Sequence, residues 1–151
     1  MSQPSADKSG TPKQFGRHQV VWDGEFLTVM LDGDLAESEA VALLDEIRTF
    51  DEDVGNFGLI LQALGSVGFP PETRKTISSR TRPERPPFPT AVIGTSLVMR
   101  AVLTLLVNAI RLTSKTDIPV RFFATKEESV GWLRERVAAR AELVDRTAAS
   151  K

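Results

Sequence analysis

From Gln19 to Leu133 the chain alternates short apolar runs with longer stretches of helical period, a pattern that few architectures satisfy. Two β-rich runs, 19–22 (QVVW) and 25–31 (EFLTVML), flank Asp23-Gly24, and Asp-Gly between such runs is a hairpin signal because glycine tolerates positive φ. After Asp32-Gly33-Asp34, the stretch Glu37–Phe50 sets Ala40, Val41, Leu44 and Ile47 at helical spacing. Glu37 and Glu39 suit the positive end of that helix, and Gly55 stands near its expected stop. Residues 57–63 (FGLILQA) and 90–94 (TAVIG) read as buried strands, and 119–124 (PVRFFA) as the last one. LGSVGF reads as a glycine-containing loop, Pro71 to Arg80 as a proline-started polar helix, and TRPERPPFP as a loop. Thr95-Ser96 offers a hydroxyl cap to a long apolar helix. Thr125 and Glu128 form a capping box for a final helix that buries Val130, Leu133, Val137 and Val144.

The expected fold is therefore α/β: one mostly parallel five-stranded sheet, wound as successive β-α turns, with an N-terminal antiparallel hairpin. At 151 residues, one domain accounts for the length. Residues 1–16, rich in Ser, Pro, Gly and Lys, read as a disordered tail because they cannot offset their ordering entropy by burial. Residues 17–146 read as the domain and 147–151 as a frayed end.

Composition excludes several chemistries. With no cysteine, the sequence has no disulfide, no thiolate nucleophile and no zinc site built on Cys. The opening residues lack the charged-then-apolar order of a secretory signal, so a cytoplasmic location is expected. A net charge of -1 gives no general attraction to nucleic acid. Leu97–Leu112 holds twelve apolar residues in sixteen, but Arg100, Asn108 and Arg111 interrupt it, and a span needs roughly twenty. It is read as a core helix with one wet edge, not as a transmembrane segment.

Three landmarks carry a family resemblance: the FGLIL strand followed by its loop and the PPETRK helix, TAVIGTS before the apolar helix, and PVRFFATKEESVGWL near the end. In these, over roughly Gln19 to Leu133, the chain resembles the STAS-like superfamily of anti-sigma-factor antagonists. The closer likeness is to its SpoIIAA-like branch, related in fold to CRAL-TRIO lipid-binding domains. The resemblance implies a non-enzymatic domain without a cofactor. Its partner would be a regulatory protein or a second copy, with an apolar small molecule or lipid as the alternative. One departure matters. Phospho-switched STAS proteins carry an Asp-Ser pair where the third strand meets the next helix, whereas this chain reads Leu64-Gly65-Ser66-Val67-Gly68, so the switch is not carried over to Ser66.

Candidate residues are few. The one histidine, His18, has no plausible triad partner nearby in sequence and is expected as a solvated strand-edge residue. One His, no Cys and scattered carboxylates make no metal cluster. Asp51, Glu52 and Asp53 read as a solvated helix end. Arg74, Lys75, Arg80, Arg82 and Arg85 form a basic cluster, read either as an anion or partner contact or as a solvated face. No aromatic is interleaved with them, which disfavours base stacking.

On the apolar helix, Arg100, Thr104, Asn108 and Arg111 fall on one stripe. Met99, Val102, Leu106, Ala109 and Ile110 lie opposite and are expected on the sheet, with Leu103, Leu105 and Leu112 towards neighbouring helices. Ala101 and Val107 flank the stripe. Either flanking helices cover them, or with nearby leucines they form a self-association or partner surface.

Overall fold

The computed structural model describes residues 12–80, 86–115 and 117–149. Its sheet has six strands: β1 (Lys13–Phe15), β2 (His18–Trp22), β3 (Phe26–Asp34), β4 (Gly58–Gly68), β5 (Thr90–Ile93) and β6 (Val120–Phe123). Three helices join the parallel strands, α1 (Glu37–Val54), α2 (Pro71–Arg80) and α3 (Leu97–Ser114), and α4 (Lys126–Ala149) follows β6. Spatial order equals chain order, β1-β2-β3-β4-β5-β6.

This corrects the expected sheet. It is mixed: β1–β2 and β2–β3 pair antiparallel, while β3–β4, β4–β5 and β5–β6 pair parallel. The additional strand comes from residues assigned by composition to the tail. Gly16, at φ 64, turns the chain so that Phe15 pairs with His18. The remainder of that segment, 1–11, lies outside the described residues. At the other end, α4 continues to Ala149, past the point where fraying was expected.

The expected hairpin joins β2 to β3. Asp23 shapes its turn, with its carboxylate accepting from the backbone N–H of Glu25 at 2.8 Å and of Phe26 at 2.7 Å. The expected loop after β4 is also corrected, because the strand continues to Gly68. Asp32 pairs with Leu64 but Gly33 with Val67, so Gly65 and Ser66 bulge from the ladder. Gly65 adopts φ 72, the left-handed backbone such a bulge demands.

Each parallel strand returns beside the previous one, always in the same direction. Right-handed crossovers of that kind put every connecting helix on one face. Accordingly Leu27, Val29, Leu31, Leu59 and Val92 pack with Ala40, Leu43, Ile47 and Phe50 of α1 and with α3 in one large core. Here α1 is rotated from its expected phase, burying Leu43 and Phe50 while Val41 and Leu44 stay half-buried. Among the described residues, only α4 reaches the other face, where Leu133 packs with Phe26, Ile60, Ala91 and Ile93. Gly58 permits that approach, since a Cβ there would lie 3.1 Å from Leu133 and 3.2 Å from Val137. Gln19, Val21, Thr28 and Met30, on the same face of β2 and β3, are only half-buried.

Candidate functional site

Helix α3 departs most from its expected environment. Its start is fixed by Ser96, whose Oγ accepts from the Met99 backbone N–H at 3.1 Å, and Lys115 ends it at φ 59. Met99, Leu103, Leu106 and Ile110, spaced by four, three and four, are buried against the sheet. The opposite side is apolar too. Leu97 is 83% exposed, Val98 74%, Leu105 62% and Leu112 75%, and Ala101 and Ala109 beside them are exposed.

The expected helix orientation is thus corrected. Leu105 and Leu112 meet no covering helix among the described residues, and Ala109 faces away from the sheet. The two candidate interface residues separate: Ala101 joins the exposed leucines, whereas Val107 is half-buried on the flank. The polar stripe explains the rotation. The Arg100 guanidinium lies 5.3 Å above the Phe122 ring, and Arg111 Nη2 donates to Asn108 Oδ1 at 3.2 Å. The Arg100–Phe122 contact holds the stripe towards the β6 side rather than at the solvent apex. The buried arc consequently rolls by roughly 55° from the position opposite the stripe, at about 100° per residue.

A cleft of about 290 Å³ opens beside the start of α3, lined by Ala63, Gly65, Val67, Ser96, Val98, Met99 and Val102. It lies past the carboxyl end of β5 and beside the carboxyl-terminal half of β4, the end of the sheet where open α/β folds commonly hold ligands. Next to Ser96, the buried Thr95 Oγ1 has no hydrogen-bond partner among the described residues. The backbone of Ser66 lies in the β4 bulge, and its side chain is outside the described residues.

The basic cluster divides. Arg82 and Arg85 lie outside the described residues. Arg80 is exposed and approaches Asp45 of α1 at 3.7 Å, while Asp45 is also 3.3 Å from Arg48. Lys75 is exposed and Arg74 is half-buried, its Nε without a partner among the described residues. Arg74 and Arg80, six positions apart, stand about 120° apart around α2.

His18 overturns its expected surface position, being 1% exposed. Its Nδ1 accepts from the Asp32 backbone N–H at 3.1 Å, which leaves the proton on Nε2, 3.2 Å from Glu39 Oε1. The same Glu39 oxygen accepts from the Ala36 N–H at 2.9 Å, so one carboxylate caps α1 and holds the imidazole. Both ring nitrogens are committed, and neither is free to exchange a proton with a substrate. A period-two reading from His18 through Val20 to Trp22 would have put the histidine on the core face.

Asp51 is likewise corrected from the solvated end assigned to it. It is buried against Arg140, which is 2% exposed and reaches it from α4 at 2.8 Å. Arg140 also donates to the carbonyls of Pro86 at 2.9 Å and Gly55 at 3.3 Å, and to Asn56 Oδ1 at 3.1 Å. Glu52 and Asp53 are exposed as expected. Outside this buried network, the Arg134 guanidinium grips Glu25 through two hydrogen bonds, at 2.7 and 3.1 Å. The hydrogen bond from Arg134 holds the Glu25 carboxyl below its ordinary value and raises the Arg134 guanidinium above its own.

Among the described residues, no group of three or more His, Cys, Asp or Glu is placed to hold a metal, and no helix is long and apolar enough to cross a membrane. No family model and no curated protein matches the chain.

Proposed function

We propose that this chain is a non-enzymatic regulatory module, STAS-like and closest to the SpoIIAA-like branch, that works by protein–protein contact through the exposed side of α3. The observation that carries this reading is the row of solvent-facing leucines, Leu97, Leu105 and Leu112, on a helix whose other side is already buried in the core. With Val98, Ala101 and Ala109 they expose roughly 600 Å² of apolar surface, at the upper limit of the largest patch on an ordinary monomer. Such a surface is costly to leave in water and gains by being covered. Arg100 and Arg111 supply the polar rim that a specific contact carries.

The experiment compares the proteins captured by wild type and by Leu105→Glu from the native host. Leu105→Glu retains the wild-type melting temperature and loses the specific partner. Unchanged capture would exclude α3 as the working surface.

The cleft favours a second reading, a carrier for a small apolar molecule or lipid. Its volume of about 290 Å³ approaches the lower limit for small-molecule pockets, and Ala63, Val67, Val98, Met99 and Val102 bring apolar side chains to its lining. Native mass spectrometry of freshly purified protein distinguishes the two, since a carrier retains a stoichiometric ligand that Val102→Trp displaces.

A further inference from the structure

Resting on the reading of α3 as a contact surface, we infer that its partner is a second copy of this chain, packed antiparallel across a two-fold axis at Leu105. An isologous contact requires a surface complementary to itself under a half-turn. The exposed row meets that demand. Ala101 and Ala109 stand four residues before and after Leu105, and Leu97 stands eight before it, with Leu112 seven after. All five face solvent together. Under a half-turn at Leu105, Leu105 meets its counterpart, Ala101 comes level with Ala109 along the axes, and Leu97 comes level with Leu112. The two alanines on each helix allow the axes to approach to about 8 Å, the close end of ordinary helix packing.

Area supports the same occupant. With roughly 600 Å² of apolar surface on each copy, complete coverage of the pair would remove about 1,200 Å² from water, the lower bound of stable specific interfaces. Antiparallel packing also sets the positive end of each helix beside the negative end of the other.

The charges shape the interface. Between Arg85 and Thr116 the sequence contains no Asp or Glu. Arg100 and Arg111 lie on one flank of the row, and the half-turn brings that flank against its own copy, Arg100 opposite Arg111. Arg100 is held by Phe122 and Arg111 by Asn108, so both stay at the rim. Their repulsion is screened by salt. The self-contact therefore tightens as ionic strength rises, whereas attachment to an acidic protein or an anionic bilayer weakens.

Cysteine crosslinking tests the register directly, because the native chain has no cysteine. Leu105→Cys, Leu97→Cys and an equimolar mixture of Leu97→Cys with Leu112→Cys are oxidised mildly, while wild type and Leu105→Glu are sedimented at about 100 µM in low and high salt. Leu105→Cys is expected to form a covalent dimer at least tenfold faster than Leu97→Cys alone, whose two copies lie about 24 Å apart along the axes, beyond disulfide reach. The mixture forms the heterodimer, wild type dimerises more in high salt, and Leu105→Glu is monomeric with the melting temperature of wild type diluted below its dimerisation range. Equal rates for Leu105→Cys and Leu97→Cys would overturn the register. A wild-type monomer at both salts would overturn the second copy, and flotation of that monomer on anionic vesicles, lost in Leu105→Glu, would assign the row to a bilayer. Should a monomeric wild type lose a captured protein on Leu105→Glu, the contact surface stands and only the self-pairing falls. If Leu105→Glu alters neither self-association nor capture, both fall.

Discussion

Helices α3 and α4 cover opposite faces of one sheet, yet their solvent sides differ in kind. The 24 residues of α4 include ten charged ones, and the 18 of α3 include two, Arg100 and Arg111. On α4 the solvent side carries Lys126, Arg134, Glu135, Glu142 and Arg146, several in ion pairs such as Arg134–Glu25 and Arg146–Glu142. That is how a surface helix ordinarily looks. On α3 the equivalent positions hold Leu97, Leu105 and Leu112. One helix is finished by water; the other presents a second apolar side for which this chain, among its described residues, supplies no cover.

The comparison is broken most directly at two adjacent residues of α3. Leu106→Glu puts an unpaired charge among buried side chains and unfolds the domain, while Leu105→Glu next to it changes stability by no more than about 0.5 kcal/mol. Circular dichroism melts of the two variants decide it; equal destabilisation would mean that α3 has one apolar side, not two.

On α4 the largest effect falls at its one deeply buried charge. Arg140→Ala removes the buried countercharge 2.8 Å from Asp51 and costs about 3–5 kcal/mol in urea denaturation. The double variant Arg140→Met/Asp51→Leu recovers most of that loss, because removing both charges removes the desolvation penalty. A double variant as unstable as the single one would show that the hydrogen bonds to Pro86, Gly55 and Asn56 matter more than the charge pair.

The smallest effect sharpens the contrast at the solvent side of α4. Arg134→Ala lowers the melting temperature slightly at neutral pH, and the difference shrinks in salt because the pair is exposed. Glu25 has a lowered folded-state pKa, so its contribution is present above its unfolded value near 4.5 and is lost as pH falls through the lower folded value. Melting curves of wild type and Arg134→Ala therefore converge in acid. Divergence there would assign the Arg134 effect to packing of its aliphatic stem.

Local chemistry made most elements legible from sequence: Asp23-Gly24 for the hairpin, Pro71 for α2, Ser96 for α3, and Thr125, whose Oγ1 accepts from Glu128 N–H at 3.3 Å, for α4. What stayed hidden depends on contacts distant in sequence. The Gly16 turn gives β1 an edge to join, although its composition resembles a tail. Asp51 looks solvated until Arg140, 89 residues later, arrives. The exposed apolar side of α3 is half legible: sequence spacing puts Ala101 on it but turns Leu105 and Leu112 towards neighbouring helices. A helix apolar on both sides gives a weak preference for which one faces the sheet, and the Arg100–Phe122 contact that settles it spans two elements.

The chain-order sheet has a kinetic consequence. Every strand pairs with the strand before it in sequence, so no pairing closes more than a tight turn or a single helical crossover, and the sheet can grow strand by strand. The exception is α4, whose ties to Glu25 and Asp51 span 109 and 89 residues. Its docking is the late, slow-to-nucleate event, and until it occurs Phe26, Ile60 and Ala91 are the surface on which a nascent chain is most exposed to aggregation.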